Sequence, residues 1–343
     1  MSSRSSAAPS VIDGLVDPVS RAPLSLEGDE LVGDDGRRFP VVDGIPRLVA
    51  SGTEDQAQTS DSFGFKWGRR ETYESEEWRD VAREWLLARY GFESAEAMRS
   101  SLAGGSVLDA GCGAGFSAAL WLSGDWDGEY VGVDISSAVD VARERLSFVP
   151  RAEFVQADVV ALPFPDGSFD AAIAEGVLHH TPSTEDALAA LARAVRPGGQ
   201  VLFYVYRRKG PVREFTDDHV RAAVSGLPPE QAWDALRPLT LLGEALAATG
   251  AEVEVPEDVP LLGIPAGRYP VQRLVYWHFA KIFWNERLSL EENTHVNFDW
   301  YHPRYAHRQS EDEVRAMSER AGLAIEHLDA QESGFTVRAV REP

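Results

Sequence analysis

The chain has 343 residues, which is long enough for one full α/β domain with smaller additions. Its 44% hydrophobic and 26% charged residues are typical of a globular protein, and its single cysteine, Cys112, excludes a disulfide framework and a cysteine-rich zinc site. The net charge of −22 repels phosphate backbones and anionic lipid surfaces, so the sequence predicts neither nucleic acid nor a membrane as the main partner.

Residues 1–10 are polar and rich in Ser and Ala, and we expect them to form a disordered tail. They lack the apolar stretch of a secretion signal, and no apolar run in the chain reaches the length of a membrane span. The sequence therefore predicts a cytoplasmic protein.

Residues 11–50 alternate short apolar runs with turn signals such as Asp34-Asp35-Gly36, a pattern that predicts a very small β module. The run Phe39–Pro46 resembles the corresponding part of a Trm112-like zinc ribbon. That family binds zinc through paired cysteines, but Asp17-Pro18-Val19-Ser20 occupies the expected cysteine positions. We therefore predict no metal here and interpret the module as an element for packing or for contact in a homodimer.

Residues 51–103 are predicted to hold a linker and a helical segment. The linker is the polar stretch 51–60. Apolar residues recur at helical spacing from Trp78 to Leu86, and Gly91 marks the end of that helix. The aromatic run Phe63–Trp67 is a candidate cover for a ligand pocket.

Strands and helices alternate with short turns over residues 104–206. The predicted strands are Val107–Asp109, Tyr130–Asp134, Glu153–Gln156, Phe169–Ala174 and Gln200–Tyr206. The predicted helices are Gly115–Leu122, Ser136–Leu146, and one that begins at Ser183 and is ended by Pro197-Gly198-Gly199. Such alternation predicts a doubly wound α/β fold, in which a parallel sheet is covered on both faces.

Residues 207–309 interrupt this rhythm with proline-rich loops, and they predict a helical insertion that forms a lid over the sheet. Within it, Phe279, Phe283 and Trp284 are assigned to the core. Residues 310–343 complete the sheet domain, because the capping-box pattern Ser310–Glu313 begins a helix that Gly322 ends. Two further strands are predicted, Leu323–Leu328 and Phe335–Val340.

The sharpest motif is Asp109-Ala110-Gly111-Cys112-Gly113-Ala114-Gly115, which joins the first strand of the alternation to its helix. Glycine allows a tight turn and the close approach of a ligand, and the helix N-terminus offers free N–H groups to an anion. Asp134 ends the next strand, where an acid can bind the hydroxyls of a ribose. These features fit a dinucleotide as well as S-adenosylmethionine (SAM). Asp158 ends the third strand, where an acid can accept a hydrogen bond from an adenine amino group.

Two later motifs, Glu175-Gly176-Val177-Leu178-His179-His180 and Arg196-Pro197-Gly198-Gly199, follow in order. With them, residues 104–206 resemble a class I SAM-dependent methyltransferase of the small-molecule type. The resemblance implies a mostly parallel, seven-stranded Rossmann-like sheet with a reversed last strand, and S-adenosyl-L-methionine as cofactor. The implied cofactor contacts are Asp109, Gly111, Cys112, Gly113, Gly115, Asp134, Ile135, Asp158, Val159 and Glu175. The resemblance assigns the methionine end to Asp109, the glycines and Glu175, the ribose to Asp134 and the adenine to Asp158.

The acceptor side is predicted from residue types that combine an apolar body with a polar end. His179 and His180 follow the fourth strand and are candidate bases, while capping of the turn before Ser183 is the alternative role. The candidate substrate-binding residues are Trp67, Tyr206, Tyr269, Tyr276, His278, His295, Asp299, Tyr301 and His302. The spacing of these histidines matches no metal-ligand motif, so no metal is predicted.

The sequence thus predicts methyl transfer from SAM to an oxygen, carbon or nitrogen atom of a small, largely apolar or aromatic metabolite. Two alternatives stay open at this point. One is a non-methyl transfer from SAM, such as aminocarboxypropyl transfer, and the other is a non-catalytic SAM-binding partner subunit. RNA methylation would need a basic groove, which the net charge of −22 disfavours.

Overall fold

The computed structural model describes residues 11–49, 53–102 and 104–343. The predicted tail, residues 1–10, lies outside the described residues. The described chain consists of a small N-terminal sheet, a helical connection, a seven-stranded sheet covered by helices, and a helical insertion. No helix in the described ranges is both long enough and apolar enough to cross a membrane.

The N-terminal module is a four-stranded antiparallel sheet of very short strands. After a 3-10 turn, Val11–Gly14, the strands follow in chain order: β1 (Ser25–Glu27), β2 (Glu30–Val32), β3 (Arg38–Val42) and β4 (Ile45–Pro46). Gly28, Gly36 and Gly44 adopt positive φ angles at its turns, as the turn signals require. The predicted β module is therefore confirmed.

The module packs on the large sheet instead of standing alone. Leu31 and Phe39 belong to the same buried cluster as Leu108 and Val131 of that sheet. The Leu48 N–H also donates to the main-chain carbonyl of Gln156, at 2.7 Å. A module this small buries too little apolar surface to fold by itself, and this shared core supplies the rest.

The connecting segment contains three helices, α1 (Glu54–Gly68), α2 (Glu76–Tyr90) and α3 (Ala95–Ser101), with a 3-10 turn at Arg70–Thr72. The predicted linker 51–60 is wrong from residue 54 onward, because α1 begins there. Thr53 and Gln56 form a capping box that starts the helix in spite of its polar residues. The predicted stop at Gly91 is confirmed, since Gly91 takes a left-handed conformation directly after α2.

The five parallel strands occur where the alternation predicted them. They are β5 (Ser106–Ala110), β6 (Glu129–Asp134), β7 (Ala152–Gln156), β8 (Phe169–Glu175) and β9 (Val195–Tyr206). The helices between them are α4 (Phe116–Ala119), α5 (Ala138–Arg145) and α6 (Thr184–Ala194), with 3-10 turns at Val159–Ala161 and Leu178–His180.

Two element boundaries differ from the prediction. The helix predicted over 115–122 is a single turn, because the chain bends away at Leu120 and packs Trp121 against Trp126, with ring centroids 5.7 Å apart. β9 begins at Val195, before Pro197, because proline cannot continue a helix and the chain is already extended at Val195.

The insertion after β9 is mainly helical, as predicted. It consists of α7 (Pro211–Val224), α8 (Pro229–Ala248), a hairpin of β10 (Glu252–Val255) and β11 (Gly267–Pro270), α9 (Val271–His278) and α10 (Leu290–Tyr301). Its aromatic core contains Trp233, Phe298, Trp300 and Tyr301. The predicted core residues Phe279, Phe283 and Trp284 are only half-buried, because the chain is not helical between α9 and α10.

The chain closes with α11 (Glu311–Arg320), β12 (Leu323–Ala330) and β13 (Gly334–Arg341). The predicted capping box of Ser310 and Glu313 is present at the start of α11. The strand order of the large sheet is β12-β13-β9-β8-β5-β6-β7, and β13 runs antiparallel to both of its neighbours. The predicted seven-stranded, mostly parallel sheet with a reversed last strand is therefore confirmed.

Candidate active site

A cavity of about 540 Å³ lies at the carboxyl ends of the parallel strands. This is the edge at which open α/β sheets bind their ligands. Its walls come from the turns after β5 to β9, from α1 and α2 on one side, and from α9 and α10 of the insertion on the other. The sheet and the insertion therefore enclose one site between them.

The glycine turn between β5 and α4 forms part of this wall. Gly111, Gly113 and Gly115 have φ angles of 82°, 53° and 70°, which other residues rarely adopt. A Cβ at Gly111 would lie 2.3 Å from a methyl carbon of Val177, and one at Gly113 would lie 2.6 Å from Nε1 of Trp67. The turn therefore needs glycine for its backbone angles and also for the space that its neighbours occupy.

Of this turn, only Gly111 lines the cavity. Gly113 lies behind it and donates its N–H to Asp134, while Gly115 caps α4. Cys112 is buried, and burial raises the pKa of its thiol well above the usual value. A thiol in that state stays protonated, so Cys112 fills space in the turn.

Asp134 ends β6 and lines the cavity, as predicted, with Ile135 beside it. One carboxylate oxygen accepts the Gly113 N–H at 2.8 Å, and the other accepts the N–H and the hydroxyl of Ser136 at 2.8 and 2.6 Å. These bonds fix the orientation of the carboxylate. Burial nevertheless raises its pKa, because it disfavours the charged form.

Asp158 lies at the end of β7, and both it and Val159 line the cavity. Asp158 also caps the following 3-10 turn, since its Oδ1 accepts the Val160 N–H at 3.0 Å. Its Oδ2 accepts a hydrogen bond from Nε2 of Gln56 in α1, at 2.5 Å. The side chain therefore has a structural role in the turn and an oxygen at the cavity wall.

Glu175 ends β8 and lines the cavity next to a buried cation. It forms an ion pair with Arg89 of α2 and accepts the Tyr90 hydroxyl at 2.9 Å. The Arg89 guanidinium also stacks on Trp85 and Tyr204, 3.7 and 4.4 Å from the ring centroids. Burial lowers the pKa of Arg89, and the pair with Glu175 offsets part of that cost.

Asp109 is placed differently from the prediction. It lies beneath the glycine turn and does not line the cavity; its Oδ2 accepts the Tyr130 hydroxyl at 2.7 Å. Burial, together with the charge of Asp134, raises the pKa of Asp109 to about 7. Its direct contacts therefore support the turn from behind.

The two candidate bases differ sharply. His180 lines the cavity, and its Nδ1 donates to the main-chain carbonyl of Tyr305 at 2.7 Å, because a carbonyl can only accept. Its Nε2 has no hydrogen-bond partner in the described part of the chain, and burial lowers the pKa of the ring to about 4. His179 does not line the cavity, and its ring packs against that of Tyr206 at a tilt of 30°, with the centroids 3.6 Å apart.

Asp299 of α10 lines the cavity on the side that the insertion forms. It accepts hydrogen bonds from Lys66 at 2.5 Å and from the Tyr206 hydroxyl at 2.8 Å. Burial opposes ionisation of this carboxyl, but the Lys66 ammonium and the nearby His180 hold its pKa well below the usual range. The predicted acceptor residues Asp299 and Tyr206 thus form one network with a lysine from α1.

The structure divides the remaining acceptor candidates. Trp67, Tyr276 and His295 line the cavity, and Nδ1 of His295 is bonded to the Thr72 hydroxyl at 2.8 Å. Four other candidates do not line it: Tyr269, His278, Tyr301 and His302.

Each of these four has structural contacts elsewhere. His302 is bonded to Ser62 at 2.7 Å and to the Leu227 carbonyl at 3.1 Å. The Tyr301 hydroxyl donates to Asp217 at 2.9 Å. Tyr269 packs against His278, with ring centroids 5.9 Å apart. Their hydrogen bonds and packing are therefore used within the insertion or, for His302, also between the insertion and α1.

Sequence reasoning missed several cavity residues that no motif marks. They are Gln56, Trp78, Trp85, Arg89, Lys209, Arg213, Trp277, Lys281 and Trp300. All of them reach the cavity through packing between distant segments. In the described ranges, no group of three or more His, Cys, Asp or Glu side chains is arranged to hold a metal ion.

Comparison with known proteins agrees with this geometry. Residues 108–203 match the family described as "Methyltransferase domain". The chain is 33% identical over 132 residues to a fatty-acid O-methyltransferase of Mycolicibacterium smegmatis, covering 38% of this chain and 48% of that protein. It is 29% identical over 234 residues to a tRNA (carboxymethyluridine(34)-5-O)-methyltransferase of Xenopus tropicalis, covering 65% of this chain and 33% of that protein.

Among solved structures, the chain is similar to the Burkholderia thailandensis 1,6-didemethyltoxoflavin-N1-methyltransferase with bound S-adenosylhomocysteine. The identity is 16%, the TM-score is 0.45, and the match covers 94% of this chain and 100% of that one. The chain spans about a third to a half of the length of the two curated relatives, 33% and 48%. The part of this chain that matches the methyltransferase-domain family, residues 108–203, runs from β5 into β9 and contains the glycine turn.

Proposed function

We propose that this protein transfers the methyl group of SAM to a small organic molecule bound in the cavity between the sheet and the insertion. The observation that carries the proposal is the convergence of three strand-end carboxylates, Asp134, Asp158 and Glu175, on one cavity beside the Gly111 turn. The proposal places the reaction in the cytoplasm, in small-molecule metabolism, without a membrane or nucleic acid as partner.

The residues present fit the cofactor. Gly111 presents bare backbone at the cavity wall, because a Cβ there would overlap Val177, and a ligand can therefore approach the main chain closely. Asp134 would bind the ribose hydroxyls through its fixed carboxylate, Asp158 would accept a hydrogen bond from the adenine amino group, and Glu175 would contact the methionine end. When bound, SAM supplies a methyl group on a sulfonium leaving group.

The chain's own residues would then position the acceptor and exclude water. Tyr206 and Asp299 are held by their hydrogen bond and by Lys66, so their polar atoms have fixed directions. For acceptors that lose a proton, His180 is the candidate base, since its Nε2 lone pair has no partner in the described residues. His179 is not proposed for this role, because it lies behind Tyr206.

The negative net charge of the chain favours a small acceptor over RNA. One relative acts on tRNA, as its name states. This chain carries a net charge of −22, which would repel a polyanion along most of its surface. A filter-binding assay with total tRNA tests this point, and tight, salt-sensitive binding would contradict the proposal.

The cofactor assignment is tested by calorimetric titration of SAM and S-adenosylhomocysteine into the wild type and the variants Asp134→Ala and Asp134→Asn. Both substitutions remove charged hydrogen bonds, each worth about 1.5–3 kcal/mol, so we expect affinity to fall at least about tenfold. The matched control is Asp234→Asn, at an exposed position of α8, which should bind like the wild type.

Absence of binding by the folded wild type would contradict the proposal. Binding that survives Asp134→Ala would remove Asp134 from the site. Product analysis separates the transfer chemistries, because methyl transfer leaves S-adenosylhomocysteine, whereas aminocarboxypropyl transfer leaves methylthioadenosine. Cofactor binding without turnover on any acceptor would favour a partner subunit.

A further inference from the structure

Lysine is rare in this protein, and its placement is unusual. Of the 33 basic residues, only Lys66, Lys209 and Lys281 are lysines, and the others are arginines. All three lysines line the cavity, although they come from α1, from the start of the insertion and from the segment after α9. In a chain of net charge −22, every lysine ammonium therefore lines the same cavity, which the strand-end carboxylates also line.

The three lysines differ in how they are paired. Lys66 forms an ion pair with Asp299, with 2.5 Å between its Nζ and Oδ1 of the carboxylate. Lys209 donates to the main-chain carbonyls of Glu332 and Ser333, which are uncharged acceptors. Lys281 is 6% exposed, and its Nζ lies 4.4 Å from the centroid of the Trp300 ring. No carboxylate in the described part of the chain forms an ion pair with it.

The acids near Lys281 are already engaged by other groups. Asp217 accepts hydrogen bonds from Arg213, from Nε1 of Trp300 at 2.8 Å and from the Tyr301 hydroxyl at 2.9 Å. Asp299 is shared by Lys66 and Tyr206. The cavity therefore holds a buried amine that lacks a carboxylate of its own.

The basic side chains at this part of the wall are close enough to affect one another. Burial, opposed by Asp299 and Asp217 and helped by Arg213 and Lys66, lowers the pKa of Lys281 to about 7. The pKa of Lys209 falls for the same reasons, through burial, Arg213 and Lys281. An unpaired charge in such a place is costly, and an anionic ligand would relieve that cost.

Aromatic rings lie beside the same cations. Lys209 stands 5.5 Å from the ring centroid of Trp277, and Arg273 stands 5.5 Å from that of Tyr276. Trp300 lies under Lys281. A ligand that fits here combines an anionic head with an apolar or aromatic body.

We propose that Lys281, assisted by Lys209, binds the carboxylate of the methyl acceptor, so that the substrate class is small organic acids with an apolar or aromatic body. The inference rests on the proposed function, since it names the acceptor of that reaction. The carboxylate is the anchoring group, and the assignment holds whichever atom receives the methyl group.

The test is calorimetric titration of two carboxylates, decanoate and 4-phenylbutyrate, and of their matched alcohols, decanol and 4-phenylbutanol. Titrations use the protein with and without S-adenosylhomocysteine. We expect each carboxylate to bind at least about tenfold tighter than its alcohol, as one charged hydrogen bond provides. Lys281→Met should abolish this preference, Lys281→Arg should keep most of it, and the exposed control Arg237→Met should leave it unchanged.

A second measurement needs no variant. Because the chain has only three lysines, reductive methylation followed by mass spectrometry reports directly on the cavity. We expect decanoate to protect Lys281 from modification and decanol not to protect it. Equal protection by both compounds, or by neither, would overturn the inference, and so would equal affinity of acids and alcohols in the titrations.

The outcomes separate this inference from the proposed function. Binding of S-adenosylhomocysteine without a preference for carboxylates would overturn the inference and leave methyl transfer standing. A preference for carboxylates without cofactor binding would support an organic-acid site and contradict the methyltransferase proposal. Decyl phosphate that binds more tightly than decanoate would overturn the carboxylate assignment in favour of a phosphate ester.

Discussion

At the scale of single residues, His180 shows how burial sets chemistry. Its Nδ1 is committed to the Tyr305 carbonyl, so protonation would have to occur at a buried Nε2 without a partner in the described residues. Burial accordingly lowers the pKa to about 4, below the ordinary value of 6.5. The ring is neutral near pH 7 and can accept a hydrogen bond or a proton from a bound acceptor.

This shift predicts how stability depends on pH. The unfolded chain binds more protons at His180 than the folded chain does between the two pKa values, so stability falls as pH falls through this window. His180→Gln has no imidazole to titrate at this position. Between about pH 7 and about pH 5, the wild type should therefore lose about 2 kcal/mol more of its unfolding free energy than this variant does. Urea denaturation at both pH values measures it.

His219→Gln serves as the matched control, since His219 is exposed on α7. That variant should lose as much stability on acidification as the wild type does. An identical pH dependence for His180→Gln and the wild type would show that His180 is not held neutral, and its role as candidate base would lose its physical support.

At the scale of an element, the turn between β5 and α4 depends on glycine for two separate reasons. Gly111 and Gly176 both have positive φ angles, 82° and 72°. A Cβ at Gly111 would overlap Val177, whereas a Cβ at Gly176 meets no atom within 4 Å. The pair therefore separates the backbone cost of a side chain from its steric cost.

We expect Gly176→Ala to lower the free energy of unfolding by about 1 kcal/mol through the backbone alone. Gly111→Ala should lower the free energy of unfolding by about 1–3 kcal/mol more than Gly176→Ala does, because the Val177 side chain must move. Urea denaturation measures both, and the double variant Gly111→Ala/Val177→Ala should regain part of the difference. Equal costs for the two single variants would contradict the steric argument.

At the scale of the whole molecule, the N-terminal module and the large sheet share one core. Leu31 is fully buried in the cluster that also contains Leu108 and Val131 of the sheet. Arg47 adds a bridge, since its guanidinium donates to Asp140 of α5 at 2.6 Å. The module should therefore unfold together with the sheet domain.

Tryptophan fluorescence tests this cooperativity, because all 9 tryptophans lie after residue 50 and report only on the rest of the chain. Leu31→Ala should shift the fluorescence-detected urea transition by about 2–4 kcal/mol, although the substitution lies in the module. The control Leu26→Ala, at a position that is 52% exposed, should leave it unchanged. A fluorescence transition that Leu31→Ala does not move would show that the module folds independently.

The sequence by itself determined the sheet and the strand ends that line the cavity. Alternating apolar runs and turns specify strands and helices locally, and parallel strands bring their carboxyl ends to one edge. Asp134, Asp158 and Glu175 therefore meet at the cavity, because the strand ends share one edge of the sheet regardless of how the helices pack. Asp109, Cys112, Gly113 and Gly115 do not line the cavity, and Asp109, near the end of β5, points under the turn towards Tyr130.

Tertiary structure alone decided the acceptor half. His179 and His180 have the same chemistry, and Asp299 and Tyr301 are both polar candidates, but positions one or two residues apart on a helical turn point in different directions. Only one of each pair lines the cavity. Lys66 is 143 residues from Lys209, and Lys209 is 72 residues from Lys281, yet the three converge through packing of α1 against the insertion. No local pattern encodes such a meeting, because burial and charge at the cavity depend on contacts between distant segments.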